Sequence, residues 1–257
     1  MVRKINDWGG NILVFILVLA VNSLANIIPI GGQTTGEISD KYPTLFTPAG
    51  FTFSIWSLIY LGLFLFVIFQ ALPNQRQNKE IAQIQKMFVI NCLANAAWIF
   101  SWHYEFIILS FILMIVILVT LILSYRIINI KDSNVKPTFG QRFFVQLPFS
   151  LYTGWISVAF IANLSIVQAD LGLNSFILSP TNWTLLKLAF TGAVGSLVLL
   201  IRKDIIFTLV IAWAGFGISV KQISAAQISG SAFSISIMMI ILIIFELFSK
   251  FAKFRNK

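Results

Sequence analysis

From Pro48 to Phe69 the chain carries no charged side chain. An apolar run of that length belongs in a hydrocarbon slab or at the centre of a very large core. Proline is tolerated in a first helical turn, where the N–H groups have no intrahelical partner, so a helix is expected over residues 48–72. Within it Phe53, Trp56 and Tyr60 fall at i, i+3 and i+7 and share one face. Gly62 adds a notch for a neighbouring backbone. An aromatic stripe with polar Trp and Tyr tips is more than a lipid-facing helix requires, and suits a ligand wall as well as helix packing.

Composition extends the argument to the whole chain. Of 257 residues, 58% are hydrophobic and 11% charged, a balance whose exterior no soluble domain of this size keeps in water. The apolar runs are unbroken rather than alternating, which excludes a β-barrel. The expected fold is an all-α, polytopic transmembrane bundle of about eight helices. A net charge of +9 suggests nucleic acid, but the Lys and Arg residues sit in short clusters between apolar runs, as orientation signals do, so no nucleic-acid partner is expected. The one cysteine, Cys92, forms no internal disulfide, and one histidine rules out a multi-His metal site.

The spans are expected at 11–30, 48–72, 87–102, 106–128, 143–167, 183–201, 205–220 and 228–248, with the third and seventh short. Asn22 and Asn26 are expected to turn inward from the first. A polar loop occupies 31–46, a basic amphipathic connector 73–86, a further connector with Lys131, Lys136 and Pro137 129–142, and a basic tail 250–257. Ser179-Pro180 reads as a helix start. With eight crossings, all but three of the 18 basic residues fall on the side of the termini, the exceptions being Lys41, Lys187 and Lys221. That asymmetry points to cytoplasmic termini.

Ionisable groups inside the bilayer are scarce. Glu246 is expected near the inner surface, within reach of Lys250. Lys187 and Lys221 are placed at helix ends, which excludes a retinal-type Schiff base. His103 beside Glu105 reads as an exposed loop histidine. The remaining chemistry is aromatic and amide. Trp56, Trp98 and Trp155 are expected to line one cavity in the outer half of the bundle. Asn91, Asn95 and Asn163 are polar groups that must find partners in lipid. Trp8, Trp102 and Trp183 lie at span ends as interfacial residues.

These residues form a pattern. Pro48, Phe53, Trp56, Ile59, Tyr60 and Gly62 approximate P-x-x-x-x-F-x-x-x-W-x-x-L-Y-x-x-x-G, with the glycine displaced. Asn91, Asn95 and Trp98 approximate Q-x-x-x-N-x-x-W, with Asn for Gln. Pro148, Tyr152, Trp155 and Asn163 approximate the fifth-helix pattern P-Y-x-x-W-x-x-F-x-x-x-L-N, with Val158 at the Phe position. The chain thus resembles the TspO/MBR family, the tryptophan-rich sensory proteins that include the mitochondrial translocator protein. The motifs cover spans one to five.

The resemblance implies a five-helix unit over residues 1–169, followed by three additional helices and a tail over 170–257. It implies a pocket for a flat apolar molecule, tetrapyrrole- or sterol-like, walled by Phe53, Trp56, Tyr60, Asn91, Asn95, Trp98, Tyr152, Trp155 and Asn163, with the 31–46 loop as lid. Indole faces stack on such a ligand while Asn and Tyr orient its polar substituents. A non-enzymatic binding protein for sensing or transport is expected, with no required cofactor, a porphyrin- or haem-like molecule as ligand, and lipids as partners. A homodimer is left open, and the compact loops favour a bacterial inner membrane. The alternative is an eight-helix secondary transporter, for which Gly192/Ser196 and Gly215/Ser219 supply small-xxx-small packing, but no central acid or internal repeat stands out. Enzymatic tetrapyrrole degradation lacks an acid–base pair at depth.

Overall fold

The computed structural model describes residues 3–28, 30–42, 44–128 and 137–255. The described regular structure is helical throughout. In chain order the helices are α1 (Ile5–Ile27), the short α2 (Thr35–Lys41), α3 (Ile55–Ala71), α4 (Lys79–His103), α5 (Ile107–Ile128), the single turn α6 (Phe139–Gln141), α7 (Leu147–Asp170), α8 (Pro180–Arg202), α9 (Ile205–Lys221) and α10 (Ala226–Arg255). A 3-10 turn, Gly50–Ser54, runs into α3, and a π-helical stretch, Arg142–Gln146, runs into α7.

Six helical segments among the described residues are long and apolar enough to cross a membrane: those built on α1, α3, α5, α7, α8 and α10. The other two long helices are the ones whose spans were expected to be short. At 17 residues, α9 is apolar but brief. Helix α4 is long, but its first turns carry Lys79, Glu80 and Lys86. The 73–86 connector is thus helical from Lys79 onward, because the Asn78 side chain accepts the Ile81 N–H at 3.2 Å and starts the helix early.

Other boundaries also move. Helix α1 begins at Ile5, not at residue 11, with Asp7 accepting the Lys4 N–H at 2.7 Å as a cap. The 31–46 loop contains α2, started by a capping box in which Thr34 and Glu37 bond each other's backbone N–H groups. Pro48 precedes the helix instead of opening it, since α3 starts only at Ile55 after the 3-10 turn. The tail is helical to Arg255. Ser179 caps α8 with Pro180 at its first position, as expected. Lys131, Lys136 and the side chain of Asn26 lie outside the described residues.

The chain divides into two compact units, one formed by Met1–Tyr42 with Ser54–Ile156, the other by Pro43–Phe53 with Ser157–Lys257; the boundary between Ile156 and Ser157 falls inside α7. In the first unit, α1 buries Asn11, Phe15, Val18, Asn22 and Ala25, a stripe of helical period, while Leu13, Leu24 and Ile27 point outward. Helix α3 buries Ile55, Ile59, Gly62, Phe66 and Gln70 and turns Leu58, Leu61 and Phe64 out. Greasy outward faces are what a lipid solvent selects. The Gly62 notch is occupied: a β-carbon there would lie 3.2 Å from Pro148 Cβ. Phe66, Phe88 and Phe149 pack edge to face across α3, α4 and α7, with centroids 5.1 Å apart for Phe66–Phe149 and 5.3 Å for Phe66–Phe88. At the other end of α3, the buried Arg3 guanidinium donates to Gln70 Oε1 at 2.6 Å and to the Gln70 carbonyl, the second an acceptor that the last helical turn leaves orphaned.

In the second unit α9 packs on α8 and α10. The close approaches are at Gly195, whose added β-carbon would lie 2.9 Å from Met239 Sδ, and at Gly215, 3.0 Å from the Ala232 carbonyl oxygen. Gly192, one of the expected packing positions, makes ordinary contact at 3.5 Å or more. Glu246 bonds Lys203 at 2.9 Å and sits 3.7 Å from Lys250, so the expected i,i+4 partner is the more distant of two. Lys187 is two turns inside α8 rather than at its end, because the helix begins at Pro180; its ammonium donates to Ser165 Oγ at 2.9 Å and Gln168 Oε1 at 2.7 Å on α7. Lys221 does close α9.

Candidate ligand site

In the first unit, α3, α4 and α7 bring an aromatic cluster together. The Trp56 ring stacks on Tyr60, one turn along α3, with centroids 5.4 Å apart and planes 17° from parallel. Trp155 and Tyr152 of α7 meet Trp56 edge to face, at 6.4 and 5.8 Å. Such edge and offset contacts match the quadrupoles of the rings. Trp155 and Tyr152 are each 2% exposed, whereas Trp56 and Tyr60 are only half-buried. The cluster therefore has a fixed wall and a reachable face.

Asn95 of α4 ties the cluster together. Its amide N–H donates to the Tyr152 hydroxyl at 2.8 Å, and its Oδ1 accepts from Asn22 of α1 at 2.9 Å and from the Tyr60 hydroxyl at 3.4 Å. Asn22 also donates to the Val18 carbonyl at 3.0 Å. An amide buried in lipid must be paired this way, and pairing it to two tyrosines orients both phenols. The Tyr152 hydroxyl accepts from Asn95, and its own hydrogen meets no acceptor among the described residues.

The other expected residues are placed differently. Asn91 turns to α5, donating to the Ile117 carbonyl at 3.1 Å and Thr120 Oγ1 at 2.9 Å. Trp98 stacks on Trp102 at 5.6 Å, and Trp102 donates its indole N–H to the Thr35 carbonyl at 3.1 Å. Trp102, expected at the interface, is 3% exposed because α2 folds down onto it. Phe53 and Asn163 belong to the second unit; Asn163 is buried there and its Oδ1 has no partner among the described residues.

The loop expected as a lid has a latch. Glu105, in the turn after α4, pairs with Lys41 and accepts from the Tyr42 hydroxyl at 3.0 Å. The Lys41 hydrogen bond first, and the Tyr42 bond after it, hold the Glu105 carboxyl below its ordinary range. His103, expected to be exposed, is buried as the last residue of α4, with Nδ1 2.8 Å from the Ile99 carbonyl. It takes no part in an acid–base pair with Glu105, whose contacts run to Lys41 and Tyr42.

Sequence reasoning passed over Tyr42, Lys203, Trp213 and Thr52. The Thr34-x-x-Glu37 spacing is the local signal for the start of α2.

A stack of long apolar helices with buried amides and rings defines an integral, multi-pass α-helical membrane protein. A family model described as TSPO-like protein matches residues 8–245, and the chain belongs to that family. The match runs beyond the motifs of the first 169 residues, through α8 and α9 and most of α10. No curated protein and no solved structure matches the chain.

Proposed function

We propose that the protein binds a flat apolar molecule, tetrapyrrole- or sterol-like, at the Trp56–Tyr60–Tyr152–Trp155 cluster, and acts in sensing or transport without catalysing a reaction or needing a cofactor. The observation that carries this reading is the half-buried Trp56–Tyr60 stack, backed edge-on by two buried rings and wired through Asn95. A planar ligand covering the reachable face gains stacking on an indole already held in place. The charge asymmetry supports both termini in the cytoplasm, and the compact loops favour a bacterial inner membrane as the site of action.

The test is titration of purified protein with protoporphyrin IX, read by the porphyrin Soret band and by tryptophan quenching. Replacing Trp56 and Trp155 together by Phe is expected to raise Kd at least tenfold while the helical content is kept. Equal affinity in the double variant, or no saturable binding by the unaltered protein, removes the proposed site.

A further inference from the structure

The segment between α2 and α3 is gripped by α9, within the second unit. Ala49 donates its backbone N–H to the Gly217 carbonyl at 3.0 Å, and Trp213 donates its indole N–H to the Thr52 carbonyl at 3.0 Å. Gln222 spans the carbonyls of Thr44 and Thr47 at 3.2 and 3.3 Å. Phe51 packs edge-on against Trp213 at 5.4 Å and tilts against Phe216 at 6.1 Å. Thr52, fully buried, sits directly on Gly217: a β-carbon there would lie 2.8 Å from Thr52 Cγ2 and nearer still to Oγ1. Only glycine accepts that approach.

From these contacts we infer that α9 is a clamp on residues 44–52, and that Gly217 is a positioning residue for the Trp56 cluster. The route is covalent. The 3-10 turn Gly50–Ser54 leads straight into α3, where Trp56 is the second residue. Fixing Thr52 on α9 therefore fixes the register at which α3 begins, and with it the direction of the Trp56 ring. Residues 44–49 have no helix or strand of their own to do this. The inference gives a task to residues beyond the five-helix motif. Its consequence for ligand affinity rests on the function proposed above; the positioning does not.

The test uses the full-length protein in lipid nanodiscs. Gly217→Ala is compared with Gly217→Ala/Thr52→Ala, which removes the two closest clashing atoms, and with Gly192→Ala, where the added methyl meets only ordinary contact. Two readouts need no ligand: hydrogen exchange of peptides over 44–53, and the part of the near-ultraviolet circular dichroism that Trp56→Phe abolishes. Gly217→Ala is expected to speed exchange at least tenfold and to lose most of that signal, the double variant to regain both, and Gly192→Ala to match the unaltered protein. If Gly217→Ala does not fold, Gln222→Leu and Trp213→Phe loosen the clamp without adding an atom beside Thr52, and the same two shifts are expected. Unchanged exchange, or faster exchange with the Trp56 signal intact, overturns the proposal. In the same samples the Kd for protoporphyrin IX is expected to rise about tenfold with Gly217→Ala. Absence of binding by the unaltered protein counts against the ligand site alone, whereas binding that Gly217→Ala leaves unchanged counts against the clamp.

Discussion

Asn95 and Asn91 lie one helical turn apart on α4, are both buried, and each makes two good hydrogen bonds, yet only one of them faces the aromatic cluster. Replacing Asn95 by Leu keeps the volume and removes the bonds to Asn22 at 2.9 Å and Tyr152 at 2.8 Å, along with the long contact to Tyr60. Interhelical hydrogen bonds in membranes are worth about 0.6 kcal/mol on average and about 1.7 kcal/mol at most. Asn22 keeps its bond to the Val18 carbonyl, so little is left newly unpaired on that side. The net expectation is a loss of about 1–2 kcal/mol. Asn91→Leu loses two bonds to α5 and is expected to cost a similar amount. Equilibrium unfolding in mixed detergent–SDS micelles measures both, and a double-mutant cycle of Asn95→Leu with Tyr152→Phe isolates one bond, with a coupling of about 0.5–1.5 kcal/mol. Protoporphyrin IX affinity then separates the pair, because Asn95→Leu unhooks two tyrosines while Asn91→Leu touches none. Stability unchanged by Asn95→Leu, or equal loss of affinity in both variants, refutes the view of Asn95 as the organiser of the cluster.

Two further outcomes follow from the first unit. Gly62→Leu drives a side chain into Pro148 and is expected to cost about 1–3 kcal/mol in the same unfolding assay, with Gly62→Ala much milder because the β-carbon falls 3.2 Å from a ring that has to yield only slightly. The Glu105 latch is pH-dependent: its carboxyl is depressed in the folded protein, so the contribution is complete above the unfolded glutamate value and is lost as pH falls through the lower, folded one. Limited proteolysis over residues 30–42 is expected to accelerate on acidification through that window, and Glu105→Gln to be fast already at neutral pH; Glu37, whose carboxyl the Thr34 N–H also depresses, contributes to the first effect but not the second.

What could be read from the sequence follows from what lipid imposes. Uncharged runs and clustered basic residues locate helices because a bilayer penalises every unpaired polar group, and so α1, α3, α5, α7, α8 and α10 stand where the apolar runs are. The same penalty made Asn91 and Asn95 conspicuous. Their partners were not, because i and i+4 positions share a face only broadly: Asn91 is rotated far enough to reach Thr120 while Asn95 reaches Tyr152. Trp56, Tyr60, Tyr152 and Trp155 were legible as a group through their motif. Trp98, read from the same motif, found Trp102 one turn away instead.

The polar connectors were harder for a physical reason. In lipid an apolar pattern reports the environment, but outside it a short stretch such as 31–53 is shaped by whichever helix offers partners for its backbone. Residues 30–42 find them on α4 and 44–52 on α9, so one loop by sequence is shared between two units. Nothing local in Thr44–Thr52 announces Gly217, and nothing local in Gly217 announces Thr52. Each explains the other only once both are in place, since the buried Thr52 fills the gap that the missing Gly217 side chain leaves. That reciprocity makes the Thr52–Gly217 pair the part of the chain where a single added methyl is most informative: it tests whether the carboxy-terminal helices are passive ballast or part of the machinery that holds Trp56.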